Sequence, residues 1–172
     1  DEDNLCYIGP HLFQSGYVGA KLSTYRLKEK HKVAVVNISK ETDSYNYLQI
    51  EEGFRSYFKD HNLPIEIVRI DIKDTNSLSV TRDLTRALHE YDDIEAIFVT
   101  NSRVFSVAAF LEKNKRTYSS LIGYDYLKEN IAYRNKELID FRICHKPEEQ
   151  VYRGLMALYQ TLVLGAPLEK TY

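Results

Sequence analysis

At 172 residues the chain holds one domain, or one and a half, and its 44% hydrophobic and 28% charged residues are ordinary for a globular protein with a sizeable core. A formal charge of −2 leaves no electrostatic footprint for nucleic acid on this piece, and no apolar run approaches membrane-spanning length. Cys6 and Cys144 lie far apart without metal-type spacing and read as two reduced thiols. The sequence opens on DEDNLCYIGP without Met, as an excerpt or processed form would, so a missing targeting signal carries no weight.

In chain order, Leu5 to Gly9 reads as a short strand and Ser15 to Lys30 as a helix. Five strand-like runs follow: VAVVNI from Val33, IEIVRID from Ile65, AIFVT from Ala96, SLIGYD from Ser120 and DFRICH from Asp140. Each is short, rich in β-branched residues and followed by helical spacing. This alternation predicts βαβ units, hence an α/β fold with a parallel sheet sandwiched by helices. Ligands of such sheets bind beyond the carboxyl ends of the strands. The loops Ser39–Ser44, Asp71–Ser77, Thr100–Arg103, Tyr124–Leu127 and Cys144–Pro147 are therefore the ones to watch.

Between the runs, a helix over about 44–61 carries Tyr47, Ile50, Phe54, Tyr57 and Phe58 as an apolar stripe, with Asp43 or Ser44 as its N-cap. Stripes of Val80, Leu84, Ala87, Leu88 and Tyr91, and of Val104, Val107, Ala108 and Leu111, predict helices over about 77–91 and 103–115. The last helix starts with Pro147 at its first position, with Glu148 and Glu149 at the positive end of its dipole, and stops before Gly165 and Pro167. It has two adjacent stripes, Val151, Leu155, Leu158, Leu162 and Tyr152, Met156, Tyr159, Val163, so it needs cover on more than one side.

Catalytic chemistry finds no support. Ser39–Ser44 is SKETDS, neither a dinucleotide fingerprint nor a P-loop, and a receiver domain would want an aspartate where the third strand ends in Thr100 and Asn101. The five histidines show no metal-type spacing, no serine sits in a GxSxG elbow, and no cofactor motif is present. Asn101 follows a strand and offers donors and an acceptor, which suits hydroxyl-bearing ligands, but capping the next helix is an equal role. Asp125 follows another strand, where a carboxylate accepts two hydroxyls through charge-assisted bonds or serves as a cap.

The segments VTNSRVFSVAAFLE (from Val99), SLIGYDYLKENI (from Ser120) and RICHKPEEQVYRGLMALYQTLVLGAPLEKTY (from Arg142), with SGYVGAKL (Ser15–Leu22) and GFRSYF (Gly53–Phe58), resemble the effector domain of lactose-repressor-type transcriptional regulators, itself similar to type I periplasmic sugar-binding proteins. The resemblance covers nearly the whole chain. It implies a bilobal fold of two flavodoxin-like lobes with a small ligand, usually a sugar or nucleobase, between them. Residues 32–145 would then be the C-terminal lobe, and residues 1–31 and 146–172 parts of an incomplete N-terminal lobe. The resemblance also implies a homodimer in the full-length protein, DNA contact only through a headpiece absent from this chain, no membrane and a cytoplasmic location. The alternative is a periplasmic or secreted solute-binding protein of a transporter or sensor.

For the site, the resemblance implies ligand contacts at Asn101 and Asp125. His145 stands where the family often has a glutamine, so an imidazole replaces one hydrogen bond or is structural. Ser15 matches a frequently acidic contact before the small-residue helix. An arginine expected three positions before the helix glycine is Ile50 here, and an aromatic contact falls near Asp74 or Thr75. Asp43, Ser44, Tyr45 and Tyr47 are the expected substitutes, tyrosine offering both a hydroxyl and a stacking face.

Overall fold

Each apolar run forms a strand, and each strand is followed by a helix. The computed structural model describes residues 6–27 and 32–168. The order is α1 (Leu12–Thr24), β1 (Lys32–Ile38), α2 (Tyr45–Asp60), β2 (Glu66–Ile72), α3 (Ser77–Glu90), β3 (Ala96–Val99), α4 (Val104–Asn114), β4 (Ser120–Tyr124), α5 (Lys128–Asn135), β5 (Phe141–Ile143) and α6 (Pro147–Leu162). Helix α1 begins before the expected Ser15 and ends at Thr24, and residues 28–31 lie outside the described residues. The strand expected over 5–9 reduces to an isolated bridge at Tyr7, with Leu5 outside the described residues. Helix α5 has no apolar stripe from which it could be read: its one buried residue is Asn130.

The five strands pair in the order β2-β1-β3-β4-β5, every neighbouring pair parallel. Residues 33–38 of β1 are all buried, as befits a central strand covered on both faces. Its side chains alternate between two cores. Val33 and Val35 pack with Ile50, Phe54 and Phe58 of α2, while Ala34, Val36 and Ile38 pack with Leu84 of α3 and Val107 and Leu111 of α4. Among the described residues no helix is long and apolar enough to cross a membrane.

The described chain divides into two compact units, residues 12–144 and residues 1–11 with 145–172. Helix α1 is part of the larger unit: its buried Ala20 joins the core formed by α2, β1, β3 and β4. In the smaller unit, α6 buries only Ala157, whereas Val151, Tyr152, Leu155 and Leu162 are 62–79% exposed. Both of its apolar stripes thus face solvent among the described residues.

The α1–α2 contact is made backbone to backbone. A Cβ on Gly16 would lie 1.9 Å from the Ile50 carbonyl oxygen, and one on Gly53 would lie 1.9 Å from the Phe13 carbonyl oxygen. Neither oxygen can retreat without moving its helix. Gly16→Ala and Gly53→Ala should each destabilise the fold by about 1–3 kcal/mol or more, read by urea denaturation. Gly154→Ala in α6, where the nearest atom is 3.8 Å away, should instead be neutral or stabilising by up to about 1 kcal/mol through helix propensity.

Candidate functional site

Because all five strands run one way, the loops after β1, β3 and β4 emerge along one edge of the sheet. Their bases are fixed by main-chain bonds: Ser39 N–H to Ile72 O (3.0 Å), Thr100 N–H to Val36 O (3.1 Å) and Asp125 N–H to Ile143 O (3.0 Å). Strand order reverses between β1 and β3, the switch point at which open α/β sheets place ligands. At that point Asn37, fully buried, donates from Nδ2 to Asp71 Oδ1 (2.7 Å) and accepts from Thr100 Oγ1 (2.6 Å), tying β1 to both neighbours.

Asn101 stands beside this knot. Its Nδ2 donates to Ile38 O (2.9 Å) and to the Tyr47 hydroxyl (3.1 Å), while its Oδ1 accepts from Arg103 N–H (3.0 Å). The N-cap of the next helix is Arg103 rather than Asn101, whose Oδ1 instead closes the turn before it. Both amide protons are spent on the chain, so Asn101 offers a ligand its remaining carbonyl lone pair. Tyr47, accepting from Asn101, keeps its own hydroxyl proton for another acceptor. Tyr47 sits in the first turn of α2, after Ser44, which is the N-cap but makes no side-chain cap bond.

Asp43, on the exposed loop before α2, is claimed by an arginine. Arg69 Nη2 donates to Asp43 Oδ1 (2.5 Å) and to Thr42 O (3.1 Å), its Nε reaches both oxygens of Asp71 (3.1 and 3.0 Å), and its Nη1 lies 3.4 Å from Glu51 Oε2. These carboxylates, Asp71 foremost, raise the Arg69 pKa above its ordinary value. Arg69 thereby latches the β1–α2 loop to the edge strand. Arg69→Met should cost about 1–2 kcal/mol after allowance for solvent screening, and should speed amide exchange over residues 41–44.

Asp125 follows β4 directly, half-buried, with φ of 65° in the left-handed region that Asp tolerates better than most residues. The next residue, Tyr126, is 59% exposed, and the Arg142 guanidinium lies 4.5 Å from its ring centroid. Asn101, Tyr47, Asp43, Ser44 and Asp125 thus share one edge. Ser15 has an internal role there: it is buried in the first turn of α1, donates to Leu12 O (2.7 Å), and so accepts from the Tyr124 hydroxyl at 2.9 Å. Burial pushes the Tyr124 phenol well above its usual range. His145 belongs to the smaller unit, where its carbonyl accepts from Gln150 Nε2 (2.5 Å).

Ile50, at the expected arginine position, is buried against α1. Asp74 is held by the Asn76 N–H (3.1 Å) and the Ser79 hydroxyl (3.0 Å), which keep its pKa below the ordinary carboxylate value. A carboxylate whose pKa is depressed by folding adds stability above its unfolded pKa of about 3.9 and loses it as pH falls through the lower folded value. Asp74→Asn should flatten that part of the acid limb in a stability-versus-pH series. The larger unit also has a groove of about 430 Å³, but it lies on the flank of α2 between Leu48, Glu51, Arg55, Lys59 and Arg69, not at Asn101 or Asp125.

Residues 1–166 match the model of the periplasmic binding protein domain. The chain belongs to that family. A search of curated proteins gives no match. Among solved structures, this periplasmic binding protein domain resembles a LacI transcriptional regulator from Bacteroides fragilis at 24% identity and TM-score 0.86, covering 98% of this chain and 59% of that one. A periplasmic ribose ABC transporter protein from Conexibacter woesei follows the same fold at 17% identity and TM-score 0.86, over 99% and 57%. So does a periplasmic solute binding protein from Actinobacillus succinogenes with bound D-allose, at 20% and 0.80, over 97% and 58%. The domain therefore spans less than two thirds of the structures it matches.

Arg69, Asn37 and Asn130 escape a reading of the sequence. Asn37 leaves one trace, a polar residue inside an otherwise apolar strand. Arg69 and Asn130 leave none, since the bonds that tie them to other elements, to Asp43 and to Ser102, reach 26 and 28 residues along the chain.

Proposed function

We propose that this domain binds a small hydroxylated ligand, a sugar or sugar derivative, and that it is the effector-binding part of a lactose-repressor-type regulator. The observation that carries the ligand class is the trio on one sheet edge: a carboxylate at Asp125, an amide carbonyl at Asn101 and a hydroxyl at Tyr47 that Asn101 orients. Acceptors and a donor held on rigid elements suit the alternating donors and acceptors of a polyol. Exposed Tyr126, beside Asp125, and Tyr45, beside Ser44, offer ring faces for the apolar side of a sugar.

In this reading residues 12–144 serve as one lobe, and the smaller unit belongs to a second lobe completed by chain beyond this sequence. Two observations support it: α6 exposes both of its apolar stripes, and the matched structures are considerably longer. Ligand binding would favour one closure state of the lobes and so bias DNA-reading headpieces in a dimer. The protein would be non-catalytic and cytoplasmic. A solute-binding protein of a sugar transporter is the second reading, favoured by the D-allose-bound and ribose-transporter structures that share the fold. An upstream helix-turn-helix segment decides for the first, a signal peptide or lipid-anchor cysteine for the second.

Thermal-shift screening of the full-length protein against mono- and disaccharides, sugar phosphates and nucleobases tests the ligand class. A ligand at 100 times its dissociation constant adds about 2.7 kcal/mol of stability. A shift with sugars is expected; a folded protein unmoved by every sugar overturns the reading. Asp125→Ala should weaken binding of the responding sugar while leaving the melting temperature of the free protein within a few degrees, and unchanged affinity would remove Asp125 from the site. The 172-residue chain alone should bind the same sugar weakly or not at all.

A further inference from the structure

We propose that Asn130 is the positioning residue of this edge, the side chain that fixes the separation between the turn carrying Asn101 and the turn carrying Asp125. The inference rests on the ligand-binding reading above and deepens it. Asn130 is fully buried, although it lies in α5, where no other residue is more than partly buried. Its Oδ1 accepts from Phe105 N–H (3.1 Å), and its Nδ2 donates to Ser102 O (2.9 Å), Tyr124 O (3.0 Å) and, at 3.4 Å, Asp125 O. One amide therefore bonds the residue next to Asn101, the first turn of α4, the end of β4 and Asp125 itself.

The helices that follow the two turns are not capped by their own N-cap side chains. The N-cap of α4, Arg103, makes no side-chain cap bond, and neither does Leu127, the N-cap of α5. The Phe105 amide, one of the donors a helix start leaves unpaired, is satisfied from across the sheet edge rather than locally. An asparagine is required for this: the acceptor serves α4, and the two protons serve three carbonyls. A carboxylate would keep the acceptor but oppose it to those carbonyls, and a serine would hold one turn at most. An error of about an ångström in the spacing of two ligand-binding groups is enough to cost orders of magnitude in function.

The test compares full-length wild type with Asn130→Ser, Asn130→Asp and, as a control for lost stability, Leu84→Ala, a core change in α3. Amide hydrogen exchange is read over residues 100–106 and 123–128, and binding of D-allose is read by calorimetry. The Asn130 variants are expected to lose protection in both segments together and to bind D-allose at least about tenfold more weakly. Leu84→Ala, at a comparable melting temperature, should leave both readouts near wild type. Loosening of one segment only, or of both with unchanged affinity, overturns the proposal.

If wild type fails to bind D-allose and every other sugar tried, the sugar reading falls, and the exchange pattern alone judges the coupling of the turns. Should both Asn130 variants fail to fold, exchange in wild type decides. The Phe105 amide and the 123–128 turn must then open with a common urea dependence, and separate dependences overturn the coupling.

Discussion

Five parallel strands have to leave a sheet by the same edge, and that single constraint organises the larger unit. Each strand must return through a helix, so every β-to-α turn is delivered to one side and every α-to-β turn to the other. The register of β1 against β2 and β3 brings Asn37 level with Asp71 and places Thr100 one residue beyond the last β1–β3 pair. A buried polar contact across three strands is costly unless complete, and here Asn37 uses its amide in both directions. The sheet edge is consequently cross-linked where strand order reverses.

Side chains from outside the turns extend that order. Arg69 reaches from the edge strand to the loop before α2, and Asn130 reaches from α5 to the turns after β3 and β4. Asn101 and Asp125, both half-buried, are thus carried on turns held by side chains from other elements, and Tyr47 stands in the first turn of α2. A charged clamp serves one turn and a neutral amide the others, in keeping with their surroundings: Arg69 is partly hydrated among carboxylates, whereas a charge at the fully buried Asn130 position would face carbonyls from which water is excluded.

The parallel sheet and its flanking helices were legible because burial on two faces leaves unbroken apolar runs, as in VAVVNI, and burial on one face leaves stripes such as Ile50, Phe54, Tyr57 and Phe58. Helix α1 starts and stops earlier than its sequence pattern suggests, because its buried residues are all small, Gly16 and Gly19 among them, and leave no stripe. Helix α5 was illegible for a related reason, its anchor being polar. At the edge, Asn101, Asp125 and Tyr47 could be proposed from their position after strands or at a helix start. What the sequence could not carry was the direction of each hydroxyl and amide: Ser15 turns inward to Tyr124, and Asp43 turns to Arg69. Those choices depend on partners tens of residues away.

The meeting of α1 and α2 also bears on how far such a sequence can drift. At 17–24% identity most side chains differ between this domain and the structures it superposes on. A helix pair locked by interdigitating side chains must be repacked when one of them changes. The pair here is set instead by two carbonyls seated where two Cβ atoms are missing, and carbonyls belong to every residue type. Ile50 and Phe13 could be exchanged for other residues without removing the oxygens that define the crossing. Divergence is thus most constrained at two points, where one added methyl is the difference between contact and collision.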